Sequence, residues 1–430
     1  MSNVIKHENK LLGDAYYEVK HPTGLTVFVY PKEGYSSSYA VIGTNYGSID
    51  DALKVTGGEE KVLPWGTAHF LEHKLFESEE LDAFERFAET GASANAYTSF
   101  DRTCYLFSCS SHFRENLEIL LDFVQHPYFT QATVEKEQGI IGQEIRMYLD
   151  DPGWQVLFNL LRALYVEHPV KVDIAGTEES ISRISADLLY ECYESFYNLH
   201  NMALAVAGDV TDYEVLSVCD ACLTEQPEVR VERPDKGEPA DIVQKSIAQE
   251  FPVTIPTFAL GFKETHDTPI RTMKERLLTD ILMDCVAGET TDLYERLLRE
   301  GLIDSGFGYE YFTGPGYATV LFEGRSRDPE RVADEIKAAI RRLRETGVDP
   351  VEFERLRKLN YGKAVMSYND IDGLANGLVG AYLNGAELFE ELELYRTVTV
   401  EDADEQLRRT MLEAYSALSV VHGPDFGAET

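Results

Sequence analysis

The sequence has no apolar run long enough to cross a membrane. Nowhere in its 430 residues does a segment approach the roughly 20 consecutive apolar residues of a transmembrane helix. The N-terminal segment has neither the apolar stretch of a secretory signal nor the arginine-rich composition of a transit peptide. We therefore expect a cytoplasmic protein with no membrane partner.

Basic residues are scarce relative to acidic ones. Lysine and arginine total 39 against 75 aspartate and glutamate, which gives a formal net charge of −36. Such a charge repels polyphosphates and anionic lipid surfaces, so nucleic acid is not expected as a partner. It would attract basic peptides over long range, although solubility or a salt-rich environment explains the composition equally well.

Cysteine is also uncommon, with six residues: Cys104, Cys109, Cys192, Cys219, Cys222 and Cys285. In a chain of this size without a secretion signal, we expect free thiols. Cys219 and Cys222 form a C-x-x-C pair, but no second pair is present to complete a zinc site.

One short stretch carries a recognisable arrangement of metal ligands. Residues 67–76 read TAHFLEHKLF and contain the pattern His-x-x-Glu-His at His69, Glu72 and His73. The mixture of apolar and polar residues without proline predicts a helix, on which all three side chains point to one side. Two neutral imidazoles can bind one Zn²⁺ there, with the carboxylate beside the metal.

This arrangement suits hydrolysis. Zinc brings the pKa of a bound water toward neutrality, and Glu72 can take the water's proton and deliver it to a leaving amine. A catalytic zinc site usually has three protein ligands. A second predicted helix, residues 133–151, offers Glu137 and Glu144 on one face, and either could be the third ligand. The alternatives are that the His-x-x-Glu-His pattern occurs by chance and that the two glutamates belong to a solvated helix face.

Together with further segments, these residues resemble the pitrilysin/insulinase family of zinc peptidases, and in particular its bacterial YmfH-like branch. The resemblance covers most of residues 15–210 and is looser beyond them. The additional segments follow the family's order: Pro64–Thr67, Gly91–Thr98, Asp101–Tyr105, Asp151–Pro152, His168–Pro169, Gly176 and Asn201–Met202.

The resemblance implies a role for each candidate residue. Three residues would bind one zinc ion per chain: His69, His73 and Glu144. Glu72 would be the general base, and Glu137 would be a second catalytic carboxylate that supports the site. Three further residues resemble the edge strand to which such enzymes add an extended peptide: Asn95, Ala96 and Thr98.

The length predicts two domains of about 200 residues each. Residues 225–240 are rich in proline and charge, a composition typical of a linker between residues 1–224 and 241–430. Strands and helices follow a similar order in both parts. We therefore expect an α+β fold with two homologous domains, each a mostly antiparallel sheet packed with helices. The resemblance implies that they form half of a clamshell, and the second domain lacks the metal motif.

One segment departs from the family pattern. Family members commonly carry an arginine and, seven residues later, a tyrosine, which bind the substrate backbone and the developing oxyanion. Here Arg299 is present, but Gly306 stands at the tyrosine position. Either Tyr309 or Tyr311 takes over after a short deletion, or a related subunit supplies the missing group.

The sequence therefore predicts a zinc endopeptidase that hydrolyses short or unfolded peptides inside a dimeric chamber. The dimer would be a homodimer or a heterodimer with a related zinc-less subunit. The alternatives are a non-catalytic or partner-dependent subunit of a heterodimeric processing complex, and a maturation enzyme with a single substrate. A His₂Glu site can also bind manganese or cobalt.

Overall fold

A computed structural model describes residues 4–79, 81–234, 236–264, 270–424 and 426. These residues form fourteen β-strands and fifteen α-helices. The strands are β1 (Val4–Asn9), β2 (Asp14–Lys20), β3 (Thr26–Pro31), β4 (Ser38–Thr44), β5 (Ala52–Leu53), β6 (Lys61–Val62), β7 (Ser93–Thr98), β8 (Thr103–Cys109), β9 (Met202–Gly208), β10 (Ser246–Glu250), β11 (Thr257–Lys263), β12 (Gly308–Gly314), β13 (Tyr317–Arg325) and β14 (Ser416–His422).

The helices are α1 (Thr67–Leu75), α2 (Ala83–Thr90), α3 (Phe113–Gln125), α4 (Gln131–Leu149), α5 (Pro152–Leu164), α6 (Glu178–Ile181), α7 (Ala186–Phe196), α8 (Asp212–Cys222), α9 (Met273–Ala287), α10 (Asp292–Arg299), α11 (Pro329–Thr346), α12 (Pro350–Ser367), α13 (Ile371–Leu383), α14 (Glu390–Thr397) and α15 (Val400–Arg409). The sequence places the start of α9 near residue 269, which lies outside the described residues. None of the helices among the described residues has the length and apolar composition needed to span a bilayer.

The strands form two main sheets and a small pair, β5 with β6. The larger sheet has the order β1-β2-β3-β9-β4-β8-β7, and the smaller has the order β10-β14-β11-β13-β12. Neighbouring strands are antiparallel except for β3 with β9 and β10 with β14, which are parallel.

The smaller sheet repeats five strands of the larger one. Strands β10, β14, β11, β13 and β12 correspond to β3, β9, β4, β8 and β7, with the same order and the same relative directions. Helices α1 and α2 precede β7 as α9 and α10 precede β12, and α3 and α4 follow β8 as α11 and α12 follow β13. The predicted α+β fold with two homologous parts is confirmed.

The chain divides into two compact units, one around each sheet. Unit 1 comprises Met1–Ile145, Asp173–Pro234 and Ala364–Phe389, and unit 2 comprises Arg146–Val172, Asp235–Lys363 and Glu390–Thr430. In unit 1, α13 packs on β4 and β9, and in unit 2, α5 packs on β11 and β14. Each sheet thus gains a cover from a distant part of the sequence. The division of the chain into two domains at residues 225–240 stays a prediction. It separates the two repeats along the sequence, whereas in the packing units α5 belongs to unit 2 and α13 belongs to unit 1.

Strand β9 shows why the sequence folds into a layered unit. All its residues are buried, in agreement with the apolar run that predicts a buried strand. Leu204 and Val206 belong to the main core of unit 1. The alternating alanines lie on the opposite face, where their small side chains allow α13 to pack closely.

The cysteines agree with the expectation from composition, because all six are free. Burial raises the pKa of the Cys219 thiol to about 12, so this member of the C-x-x-C pair stays protonated at neutral pH.

Candidate metal centre

Helix α1 begins directly after Gly66, which has φ +86°. A Cβ at this position would lie 2.3 Å from the carbonyl oxygen of Ala175, so both the left-handed conformation and the close approach require glycine. Phe70 and Leu71 are fully buried in the core of unit 1 and fix the rotation of the helix. The opposite part of α1 then presents its polar side chains to α4.

His69, His73 and Glu144 come together between α1 and α4. His69 Nε2 lies 3.6 Å from Glu144 Oε1, and His73 Nε2 lies 3.4 Å from Glu144 Oε2. One potential ligand atom from each residue lies within 4.8 Å of the others, and no second such group of His, Cys, Asp or Glu occurs among the described residues. Tetrahedral ligands at about 2.0–2.1 Å from zinc lie roughly 3.4 Å from one another. The donor set therefore fits this metal.

Glu137 is not part of this set of donors. Its Oε1 accepts a hydrogen bond from His73 Nδ1 at 3.0 Å, and the side chain is well buried. With the proton held on Nδ1, Nε2 of His73 is the nitrogen available to a metal. The geometry therefore separates the two glutamates that the sequence left as alternatives: Glu144 faces both histidines, and Glu137 orients one of them.

His73 is placed to exchange a proton for a metal ion. Burial lowers the pKa of its imidazole, but the hydrogen bond to Glu137 and the charges of Glu72 and Glu144 outweigh burial and raise the pKa overall. In the metal-free protein, the acidic surroundings thus favour the imidazolium. A divalent cation satisfies the same negative charges when it displaces the proton.

Glu72 lies on α1 between the two histidines and is 9% exposed. Its Oε2 accepts a hydrogen bond from Thr98 Oγ1 at 2.6 Å, from the end of β7. On the neighbouring strand β8, Thr103 Oγ1 donates to the Tyr46 carbonyl oxygen at 2.9 Å. These contacts could not be predicted from the sequence, because they depend on how α1 packs against the β7–β8 hairpin.

Asn95 and Ala96 lie on β7, an edge strand of the sheet that the described residues form. The Ala96 N–H donates to Asn95 Oδ1 at 2.9 Å, so this backbone group points away from β8 and toward the open edge. The Ala96 side chain packs against the core of unit 1, whereas Asn95 is exposed. The edge beside the metal centre thus offers backbone hydrogen-bonding groups.

Arg299 is the exposed last residue of α10, in unit 2. The Gly306 N–H donates to Asp304 Oδ1 at 2.8 Å in the turn before β12. The two tyrosines considered as replacements both donate to carboxylates of their own unit at 2.5 Å, Tyr309 to Asp284 and Tyr311 to Glu264. In this state, neither hydroxyl is free to stabilise an oxyanion.

Sequence reasoning missed a buried polar cluster in unit 2. Asp284 on α9 accepts hydrogen bonds from Tyr309 and from Asn360 on α12, the latter at 2.7 Å. One turn earlier, burial and the charges of Asp284 and Glu391 raise the pKa of Asp280 to about 7. Two aspartates four residues apart on a predicted helix, a spacing that places like charges together, were the available signal.

The family model described as Insulinase (Peptidase family M16) matches residues 52–178, and the one described as Peptidase M16 inactive domain matches residues 183–360. The chain is 39% identical over 403 residues to the uncharacterized zinc protease YmfH of Bacillus subtilis (strain 168), which covers 92% of this chain and 94% of YmfH.

Solved structures give the same result. A putative M16-like peptidase from Alicyclobacillus acidocaldarius is 34% identical with a TM-score of 0.90, and the match covers 98% of both chains. A protease from Helicobacter pylori, 19% identical, has a TM-score of 0.83 over 96% of this chain and 100% of its own, and shows the shared fold. The chain therefore belongs to the insulinase (M16) family of peptidases, in the branch that includes YmfH.

Proposed function

We propose that the protein is a zinc-dependent endopeptidase and that Glu72 is its general base. One observation carries this proposal: two imidazole nitrogens and a carboxylate oxygen lie within 4.8 Å of one another, and Glu72 belongs to the same helical turn as both histidines. The relatives named as zinc proteases support the same reading.

The metal would be held by His69, His73 and Glu144, with Glu137 keeping the proton of His73 on Nδ1. When bound, Zn²⁺ supplies a Lewis acid that lowers the pKa of water and polarises a carbonyl group. His69 Nδ1 is buried and has no hydrogen-bond partner among the described residues, so Glu137 orients one histidine only.

Glu72 would handle the proton of the reaction. Its Oε1 takes a proton from the attacking water as the oxygen adds to the peptide carbonyl carbon. The same atom then gives this proton to the amide nitrogen as the C–N bond breaks, so the products are an amine and a carboxylic acid, which then ionises at neutral pH. Burial of Glu72 limits its access to bulk water and keeps the proton within the site.

The substrate would lie along β7 as an added strand. An extended peptide can replace Asn95 Oδ1 as the partner of the Ala96 N–H, which gives affinity that depends little on side chains. Short or unfolded peptides offer a free strand, whereas most strands of folded proteins are already paired. We therefore assign such peptides as the substrate class, in a dimeric chamber and in the cytoplasm, where six free thiols are stable.

A partner-dependent enzyme is the second candidate. Gly306 stands where the family has tyrosine, and the hydroxyls of Tyr309 and Tyr311 are both bonded to carboxylates. A heterodimer with a related zinc-less subunit would supply the missing group for the oxyanion, whereas a homodimer would have to work with Arg299 alone.

The test is cleavage of a mixed library of short peptides by the purified zinc-loaded chain, beside Glu72→Gln. This change keeps the size of the side chain and removes the base. We expect the wild type to cut at internal bonds and the variant to lose at least about 100-fold in kcat. Equal rates would exclude Glu72 as the base. If both bind zinc and neither cuts until a related subunit is added, the partner-dependent form is correct.

A further inference from the structure

The Thr98 side chain has a different part in the site from the one that the resemblance assigns to it. We propose that Thr98 is a positioning residue whose hydroxyl holds Glu72 in one orientation, rather than a side chain that contacts the peptide. This inference rests on the proposed function, because it concerns the base of the same reaction.

Strand geometry directs Thr98 toward α1. Side chains alternate along β7, so Ala94, Ala96 and Thr98 share one face. The two alanines pack against the core that includes α1. The Thr98 hydroxyl therefore leaves the strand on the helix side, where its Oγ1 lies 2.6 Å from Glu72 Oε2. Its backbone stays part of the edge strand.

The available protons fix the direction of this hydrogen bond. The Tyr46 carbonyl oxygen can only accept, so the fully buried Thr103 hydroxyl donates its one proton there. Thr103 therefore has no proton to donate to the Thr98 oxygen, which lies 3.3 Å from its own. The Thr98 hydroxyl therefore donates to Glu72 Oε2, which at 2.6 Å is the nearer of the two neighbouring oxygens.

The bond distinguishes the two oxygens of Glu72. Oε2 is held by Thr98, which leaves Oε1 to take and return the proton of the reaction. A hydroxyl donating to a carboxylate at 2.6 Å is in the range of strong, charge-assisted hydrogen bonds. Without it, the carboxylate can rotate, and Oε1 no longer keeps one position relative to the substrate.

The first experiment compares Thr98→Val and Thr98→Ser in the zinc-loaded enzyme. Valine keeps the branched shape and loses the hydroxyl, and we expect kcat to fall about 10- to 100-fold with KM within about twofold. Serine keeps the hydroxyl and should recover most of the rate. Thr90→Val, which also loses a hydroxyl but lies at the end of α2, is the matched control and should leave kcat unchanged.

The second experiment measures binding without turnover. Zinc content and the Kd of an uncleaved peptide are compared for Glu72→Gln and for the double variant with Thr98→Val. We expect one zinc per chain in both and Kd values within about twofold of each other. A clear rise in Kd would make Thr98 a substrate contact, and loss of zinc would make it part of the metal site. Either result would overturn the proposal.

The third experiment does not need activity. Thermal unfolding midpoints of the metal-free protein are measured for Thr98→Val, Glu72→Ala and the double variant. If the hydrogen bond holds Glu72, Thr98→Val lowers the midpoint of the wild type and has less than half that effect when Glu72 is already absent. Additive shifts would overturn the inference.

These results separate the two proposals. A wild type that stays inactive on every peptide, both alone and with a related subunit, contradicts the proposed function, and the melting cycle still decides whether Thr98 holds Glu72. An active wild type with an inactive Glu72→Gln and an unaffected Thr98→Val supports the function and overturns the inference alone.

Discussion

Replacement of Glu137 by glutamine tests the division of roles between the two glutamates. Glu137 is 7% exposed and accepts a hydrogen bond from His73 Nδ1 at 3.0 Å. A hydrogen bond to a charged group contributes about 1.5–3 kcal/mol, and each 1.4 kcal/mol is a factor of ten in affinity. Glutamine keeps the shape and weakens the bond. We therefore expect zinc to bind about 10- to 100-fold more weakly.

The assay is competition for zinc against a chromophoric chelator at neutral pH. Glu135→Gln is the control, because Glu135 lies on the same helix, loses the same charge and is exposed. It should change zinc affinity less than about threefold. Glu137 does not orient His73 for the metal if Glu137→Gln binds zinc as the wild type does, or if both variants lose affinity equally. Complete loss of zinc would instead make Glu137 a direct ligand.

Three further predictions follow from the structure. Zinc affinity should fall as pH drops through the raised pKa of His73, because the metal needs the neutral imidazole. In the metal-free protein, the raised pKa of His73 stabilises the fold below about pH 6.5, and this stabilisation is lost as pH rises through the raised value. Measurements of zinc affinity and of unfolding free energy between about pH 5 and 8 test both expectations. Gly66→Ala should lower the unfolding free energy by at least about 1–2 kcal/mol and more than Gly57→Ala, because both have positive φ but only Gly66 faces a close neighbour; denaturant titration compares them. Asp280→Asn should raise the unfolding midpoint more at pH 8 than at pH 5. Its folded pKa of about 7 exceeds the unfolded value of about 3.9, so the native aspartate loses stability as pH rises through that interval, and equal midpoint shifts would contradict this.

The sequence predicts those elements whose residues pack in one way only. The run of apolar residues in β9 has no polar face to expose, so a strand buried on both sides follows from composition. The two histidines of α1 are one turn apart, so any helix brings them together. These local rules account for the α+β fold and for half of the metal centre.

The rest depends on contacts between distant segments. Glu137 and Glu144 lie on one face of α4, and only the packing of α1 decides that one meets the Nε2 atoms while the other meets His73 Nδ1. The helices α5 and α13 look amphipathic or apolar in sequence, but nothing in their residues says which sheet they cover. The exchange of these segments between the units therefore appears only in the structure.

The departure at Gly306 is a similar case. The resemblance implies a tyrosine at the position of Gly306, and it leaves Tyr309, Tyr311 or a related subunit as the source of the missing group. Because side chains alternate along β12, both tyrosines lie on the same face of the strand, where they meet the carboxylates of Asp284 and Glu264. That outcome depends on acidic residues far away in the sequence, so spacing alone could not have predicted it.

Peptide cleavage should depend on a zinc ion held by His69, His73 and Glu144. Zinc content and peptide hydrolysis are therefore measured on the same preparations of the wild type, His73→Ala and His126→Ala, where His126 is an exposed histidine after α3. We expect one zinc per chain and matching activity for the wild type and His126→Ala, with neither for His73→Ala. Full zinc content and undiminished cleavage in His73→Ala would show that His73 is not a ligand of a catalytic zinc ion.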